Sequence, residues 1–231
     1  MTTPRKVGRD RRARRVSTPV NDSGAPGGRA LPTNLLCEAA EWRLISLLLE
    51  CPGADWPTQV AGLAKEVNDR QLKAAATAAR EEANEALYHS TFGPGGPAAA
   101  REVSYRPSLM PGQMLDDIRA YYEAFAYRPT LAEPPDHVAV LTGFVAYLKL
   151  KEALGNAEQA VVCAEAAKKF VDDHLNVIAE PLAKSLAHSG IVYLTHVSAA
   201  LFQCVGPCRQ AVAPVAAVAD CAGCAMAGDE P

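Results

Sequence analysis

The residues best suited to chemistry stand together at Glu133-Pro134-Pro135-Asp136-His137. Two nearby carboxylates can pair with guanidinium groups, whose fork of hydrogen-bond donors matches carboxylate oxygens. His137, with an ordinary pKa of roughly 6.5, is better suited to hydrogen bonding than to carrying a fixed charge. A hydrolytic Asp136–His137 pair is disfavoured, because adjacent residues rarely reach the required geometry and no nucleophile motif accompanies them. The stretch therefore indicates binding of a basic partner.

Four cysteines near the carboxyl end form a second candidate site. Cys204 and Cys208 have Cys-x-x-x-Cys spacing, and Cys221 and Cys224 have the Cys-x-x-Cys spacing usual in metal sites. Four thiolates suit zinc or an iron–sulfur cluster. The alternative is that these cysteines are incidental in a tail with little that could pack, since residues 211–219 are mostly alanine, valine and proline.

A stiff loop and a long helix must position the Glu133–His137 stretch. The two prolines fix their own φ angles and push each preceding residue toward an extended conformation. Asp136 is expected to be the N-cap of the following helix, with His137 at its first helical position. An apolar stripe then continues at helical spacing to Gly155, the expected C′ residue.

The remaining chain predicts an all-α fold, a single-domain helical bundle. Apolar residues recur at helical spacing and no stretch shows strand alternation. The glycine-rich run 92–97 is not a phosphate-binding loop, because neither a strand nor a Gly-Lys-Ser/Thr sequence accompanies it. Besides the helix after Asp136, we expect helices over about 34–50, 55–68, 69–89, 113–125, 157–179, 181–190 and 191–203.

Charge and composition divide the chain into three parts. Residues 1–32 predict a disordered basic tail, and the first 30 residues carry eight basic and two acidic side chains, a net charge of +6. Because the whole chain carries −3, the rest carries −9, which suits a cationic partner and disfavours nucleic acid. Residues 33–203 form the expected helical domain, and 204–231 a cysteine-containing tail.

Several features predict a cytoplasmic protein without stable membrane insertion. No apolar run approaches the roughly 20 residues that span a bilayer. Arginine pairs near the start are not followed by the apolar region of a secretion signal. Seven cysteines, an odd number, do not fit a secreted disulfide framework. Cys37, Cys51 and Cys163 are expected to be ordinary buried small residues.

Four motifs follow one another along the chain: Phe92-Gly93-Pro94-Gly95-Gly96, Ser104-Tyr105-Arg106, Tyr121-Tyr122 and Glu133–His137. In this order they resemble the TorD/DmsD/NarJ family of redox-enzyme maturation chaperones. The resemblance covers about residues 35–203, and the Glu-Pro-x-Asp-His element is its most specific part. The chain departs from the family at 99–103, before the tyrosine, and at 143–145, after the loop.

The resemblance implies a non-enzymatic chaperone. It would bind the twin-arginine leader or N-terminal segment of a molybdenum enzyme precursor of the DMSO-reductase type, and hold that precursor for cofactor insertion. Asp136 and His137 match the leader-recognition positions of the family, with Glu133 and Pro135 shaping the loop. Tyr105 is expected as a further peptide contact. The family core requires no cofactor.

Two other functions remain open from the sequence. The four terminal cysteines favour a metal-binding or redox carrier, in which the helices are only a scaffold. An enzyme that uses the Glu133–His137 loop as its active site is the least favoured. The loop motif favours the chaperone.

Overall fold

The computed structural model describes residues 32–209. Within this range the fold is all-α, which confirms the predicted class, and its longest helices are the first and the sixth. None of the described helices is long and apolar enough to cross a membrane. The helices are α1 Pro32–Leu48, α2 Trp56–Glu66, α3 Arg70–Glu82, α4 Glu85–Phe92, α5 Pro111–Ala124, α6 Val138–Leu154, α7 Ala157–Phe170, α8 Asn176–Ala187 and α9 Val192–Val205.

Helix α6 is the centre of the bundle. Its residues from Val138 to Val145 are all buried, so this helix is surrounded by protein rather than amphipathic. Helix α1 packs closely along it, with the Ser46 hydroxyl donating to the Ala139 carbonyl at 2.8 Å. A Cβ on Gly143 would lie 2.9 Å from the Tyr127 hydroxyl oxygen and 3.1 Å from Ser46 Oγ, so a larger residue here would force a side chain to shift.

An aromatic cluster joins α6 to the helices on either side. Phe144 is completely buried, and its ring centroid lies 4.7 Å from Phe170 and 4.9 Å from Tyr122 in edge-to-face arrangements. Such pairs contribute roughly 0.5–1.5 kcal/mol beyond the area they bury. The cluster fixes α5 and α7 against α6, directly beneath the loop that connects α5 to α6.

Two predicted helix boundaries are wrong. The helix expected over 69–89 breaks at Ala83, because the Asn84 side chain accepts from Leu87 N at 2.9 Å and caps a separate helix, α4. The restart expected at Pro181 is absent, since α8 runs through that proline. The irregularity lies earlier, in a π-helical turn at Val171–Leu175.

The predicted tails fall mostly outside the described residues. Residues 1–31 and 210–231 are not described, so a basic tail over 1–32 and a cysteine tail over 204–231 stay predictions. The described helices begin at Pro32 and end at Val205, which frames the helical region expected over 33–203.

Candidate functional site

The cap of α6 lies one residue later than predicted. His137, not Asp136, is the N-cap, and its Nδ1 accepts from Ala139 N at 3.2 Å. A tight turn, closed by His137 N donating to the Pro134 carbonyl at 3.0 Å, directs the two side chains to different surroundings. The prolines predict a turn. Which residue of that turn caps α6 depends on contacts with another segment of the chain.

Asp136 is buried in an ion pair with an arginine of the same chain. Its side chain is 0% exposed, and Oδ1 accepts from Arg101 Nε at 3.0 Å and from Nη2 at 2.9 Å. Oδ2 accepts from the backbone N–H of Val103 at 3.3 Å. The carboxylate expected to bind an arginine of the leader therefore holds Arg101.

Backbone hydrogen bonds clamp this loop between two other segments. Val138 N donates to the Ala100 carbonyl at 2.8 Å, and Glu102 N donates to the Asp136 carbonyl at 3.0 Å. From α5, the Tyr122 hydroxyl donates to the Pro135 carbonyl at 2.9 Å. Pro135 thus shapes the loop through its backbone, and Asp136 fixes residues 100–103 against it.

His137 connects the cap to Glu133 through Tyr88. Because Nδ1 accepts from the backbone, the proton of the neutral ring resides on Nε2, which donates to the Tyr88 oxygen at 3.1 Å. The Tyr88 hydroxyl in turn donates to Glu133 Oε1 at 2.9 Å. Burial lowers the pKa of His137, although Glu133 and Asp136 oppose the shift, so the ring stays neutral at pH 7. This chain of donors holds Glu133 in place.

Glu133 is the accessible carboxylate of the loop. It is half-buried and lines a cavity of about 470 Å³ together with Arg101 and residues of the 93–96 turn. Carboxylates also gather nearby, since Glu85, Glu133 and Glu50 all contribute, after burial, to raising the pKa of the Cys51 thiol. A basic group that enters this cavity would meet Glu133 first.

Tyr105 lies outside the lining of this cavity. It is half-buried, and its hydroxyl donates to the Ala99 carbonyl at 2.6 Å, closing the turn before Arg101. Burial raises the pKa of Tyr105 to about 12. Its hydroxyl is thus engaged within the fold, and the peptide contact expected of it stays a prediction.

A second charged network lies behind the same segment and was missed from the sequence. Glu102 is 0% exposed, accepts from Arg106 Nε at 2.6 Å, and pairs with His174 Nδ1 at 3.0 Å. Arg106 also donates to the carbonyl of Asp173. His174 and Asp173 belong to the π-helical turn, a distortion common at functional sites. Since Glu102 and His174 are far apart in the sequence, no local pattern indicates the pair.

The segment 101–106 separates two cavities. Arg101 and Ser104 line the cavity at Glu133, whereas Glu102 and Arg106 line another of about 620 Å³ beside α5 and the π-helical turn. Its two arginines therefore hold two buried carboxylates on opposite sides, Asp136 on the loop and Glu102 within the segment. This segment is the common support of both sites.

An apolar groove lies between the ends of α6 and α7. It measures about 600 Å³ and is lined by Tyr147 and three exposed apolar side chains, Leu150, Leu154 and Val162. Phe125, at the start of the loop that contains Glu133, also lines it.

Only half of the predicted metal site can be described. Cys204 is exposed near the end of α9, and Cys208 follows the turn at Gly206, whose φ is +83°. Cys221 and Cys224 lie outside the described residues. Within residues 32–209 no three potential metal ligands cluster, so the four-cysteine site stays a prediction.

Glu50 should make stability depend on pH near neutrality. Its side chain is 10% exposed, Oε2 has no hydrogen-bond partner among the described residues, and Arg43 Nη1 is 3.7 Å away. Burial raises the pKa of Glu50 from 4.5 to about 7, partly offset by Arg43. The folded state therefore keeps a proton that the unfolded state releases between these values, and stability falls as pH rises through this window.

Glu50→Gln is accordingly expected to raise the unfolding temperature at pH 8 and to change it little near pH 4.5. Thermal unfolding monitored by circular dichroism at several pH values measures this difference. Glu165→Gln, at an exposed site on α7, retains Glu50, so its unfolding temperature should follow that of wild type at every pH. A Glu50→Gln protein no more stable than wild type at pH 8 would refute this role of the buried charge.

Comparison with known protein families gives a match. The family described as nitrate reductase delta subunit matches residues 60–183, more than half of the chain. No curated protein matches. The matched range contains the two cavities on either side of segment 101–106. It also contains the Arg101–Asp136 pair and the network of Glu102, Arg106 and His174.

Proposed function

Because the chain belongs to the nitrate reductase delta subunit family, whose members are maturation chaperones of molybdenum enzymes, we propose that it binds the leader or N-terminal segment of such a precursor. The resemblance seen in the sequence is thereby confirmed at the level of family. The proposed client is of the DMSO-reductase type, held until its cofactor is inserted. The proposed site is the cavity at Glu133.

The observation that carries this proposal is the presentation of Glu133. It is half-buried at a cavity, with Oε1 fixed by the Tyr88 hydroxyl at 2.9 Å. A preorganised carboxylate loses little freedom on binding, and a charge-assisted hydrogen bond to a guanidinium contributes roughly 1.5–3 kcal/mol. Outside its first 30 residues the chain carries −9, which attracts a basic leader before contact.

The other residues of the loop have supporting roles in this proposal. Asp136 braces the loop against segment 101–106, His137 caps α6 and orients Tyr88, and Pro135 holds the turn. The protein would act in the cytoplasm, where precursors carry their leaders. Like other members of its chaperone family, it would act without catalysing a reaction. While no leader is bound, Glu133 is the charged side chain of the loop that is accessible from the cavity.

Glu133→Gln is expected to weaken binding of a twin-arginine leader peptide by about tenfold, because the amide retains the shape but not the charge. Isothermal titration calorimetry measures the affinity, and the difference should shrink as salt rises. Glu165→Gln, at an exposed position on α7 away from both cavities and the apolar groove, is the matched control and should bind as wild type does. Equal affinity of the Glu133→Gln and wild-type proteins would contradict the proposed site.

We further propose that Cys204, Cys208, Cys221 and Cys224 bind one metal centre, in addition to the chaperone site. The support is their paired spacing, with Gly206 at positive φ allowing the chain to turn between the first two. Protein purified anaerobically should carry about one zinc, or the iron of one cluster, per chain.

Replacing Cys204 and Cys208 with serine should abolish the metal content measured by mass spectrometry, whereas replacing buried Cys163 should not. Metal content unchanged in the double variant would rule out this centre. It would also remove the support for the alternative function, a cysteine-ligated metal or redox carrier.

A further inference from the structure

An arginine of the chain itself covers the buried carboxylate of the loop. Arg101 Nε and Nη2 lie 3.0 and 2.9 Å from Asp136 Oδ1. The Arg101 side chain is 42% exposed and lines the cavity that Glu133 also lines, whereas Asp136 is 0% exposed. Arg101 thus lies between the cavity and a second carboxylate, three residues from Glu133.

The chemistry of this pair restricts what can replace Arg101. A buried carboxylate that loses its partner is strongly destabilising, so a ligand that removes Arg101 must supply another cation. A guanidinium can present two donors in a fixed fork, whereas an ammonium is a strongly hydrated point charge. The group best able to take the place of Arg101 is therefore another arginine side chain.

Resting on the leader binding proposed above, we propose that Asp136 is a second arginine subsite, which Arg101 occupies while no client is bound. One arginine of a paired-arginine leader binds Glu133, and the other exchanges with Arg101 on Asp136. The exchange preserves one buried ion pair throughout. The displaced Arg101 side chain is already partly exposed, so its full hydration requires little rearrangement.

This exchange gives the site two properties that Glu133 alone does not provide. It selects arginine over lysine, because only a guanidinium restores both donor contacts on Oδ1. It also connects leader binding to segment 101–106, because Val103 N donates to the other oxygen of Asp136. A ligand with a single isolated cation can bind Glu133 without displacing Arg101, so it gains nothing from the second subsite.

Arg101→Ala tests the exchange because it empties the subsite. The probe is a synthetic peptide with paired arginines followed by an apolar stretch, titrated by calorimetry. We expect it to bind Arg101→Ala at least about tenfold more tightly than wild type, since one charge-assisted hydrogen bond is worth roughly that factor. Arg101→Lys should give a smaller gain in the same direction, and it tests the exchange should the alanine variant not fold.

Three controls isolate the subsite. The gain should vanish in the double variant Arg101→Ala/Asp136→Asn, which has no buried carboxylate to fill. Arg119→Ala, which removes an exposed arginine of α5 that does not line this cavity, should bind the peptide as wild type does. A peptide in which both arginines are lysines should show a smaller gain with Arg101→Ala, because an ammonium supplies the charge but not the two donors in a fixed fork.

The outcomes separate this inference from the proposed function. Wild-type binding of the peptide, with unchanged or weaker affinity in both Arg101 variants, would overturn the exchange and leave leader binding at Glu133 standing. No binding to wild type or to either variant would overturn the proposed function and the exchange with it.

Discussion

Arg101→Ala is expected to lower the free energy of unfolding by about 3–5 kcal/mol, because it strands a completely buried carboxylate. Asp136 would keep only the hydrogen bond from Val103 N, at 3.3 Å. No other cation is paired with it among the described residues. Urea unfolding followed by circular dichroism measures the loss, and a midpoint that improves at low pH would show that the stranded group takes up a proton.

Removing the charge of the carboxylate instead of the arginine should cost less stability. Asp136→Asn keeps an acceptor for Val103 N and leaves Arg101, already 42% exposed, free to turn toward solvent. We expect a loss of about 1–2 kcal/mol, typical of a removed hydrogen bond. Equal losses for Arg101→Ala and Asp136→Asn would mean that burial of the carboxylate does not govern this pair.

Glu102→Ala is expected to cost a similar amount, about 3–5 kcal/mol, on the other side of the same segment. The substitution leaves the Arg106 side chain, 13% exposed, without its carboxylate, and removes the partner of His174 Nδ1. Both groups would need solvent or new partners inside the fold. The π-helical turn that carries His174 should then loosen, which hydrogen exchange of residues 171–175 can detect.

Glu102→Gln is the matched variant for this second network. The amide has the same size and can still accept from Arg106, so most of the loss attributed to Glu102→Ala should be recovered. A loss below about 1 kcal/mol for Glu102→Ala would show that the network is hydrated rather than buried. In that case segment 101–106 would not be the support of both cavities.

The sequence predicts the helices well because their signal is local. The apolar stripe after His137 predicts α6, and Gly155 is the residue that ends it. The alanine-rich stretch over 69–89 correctly predicts helix but not the break, since most of its residues favour helix. The break depends on the Asn84 side chain, which prefers the N-cap over the helix interior.

The candidate site is predicted in position but not in arrangement. The motif Glu133–His137 does form the loop that precedes α6, yet which carboxylate stays accessible depends on Arg101, which comes from a separate segment. The pair between Glu102 and His174 joins segments that are still more remote, 72 residues apart in the sequence compared with 35 for Arg101 and Asp136. Spacing within one segment cannot indicate such contacts, because they arise only when the helices pack.

Photo-cross-linking of a leader peptide tests most directly whether the loop is the recognition site. A benzoylphenylalanine placed next to the paired arginines would react with the protein groups around it, and mass spectrometry would locate the linked residues. We predict cross-links within residues 88–101 and 131–137, which surround Glu133. Cross-links confined to the apolar groove at Leu150, Leu154 and Val162, with none near Glu133, would contradict this account.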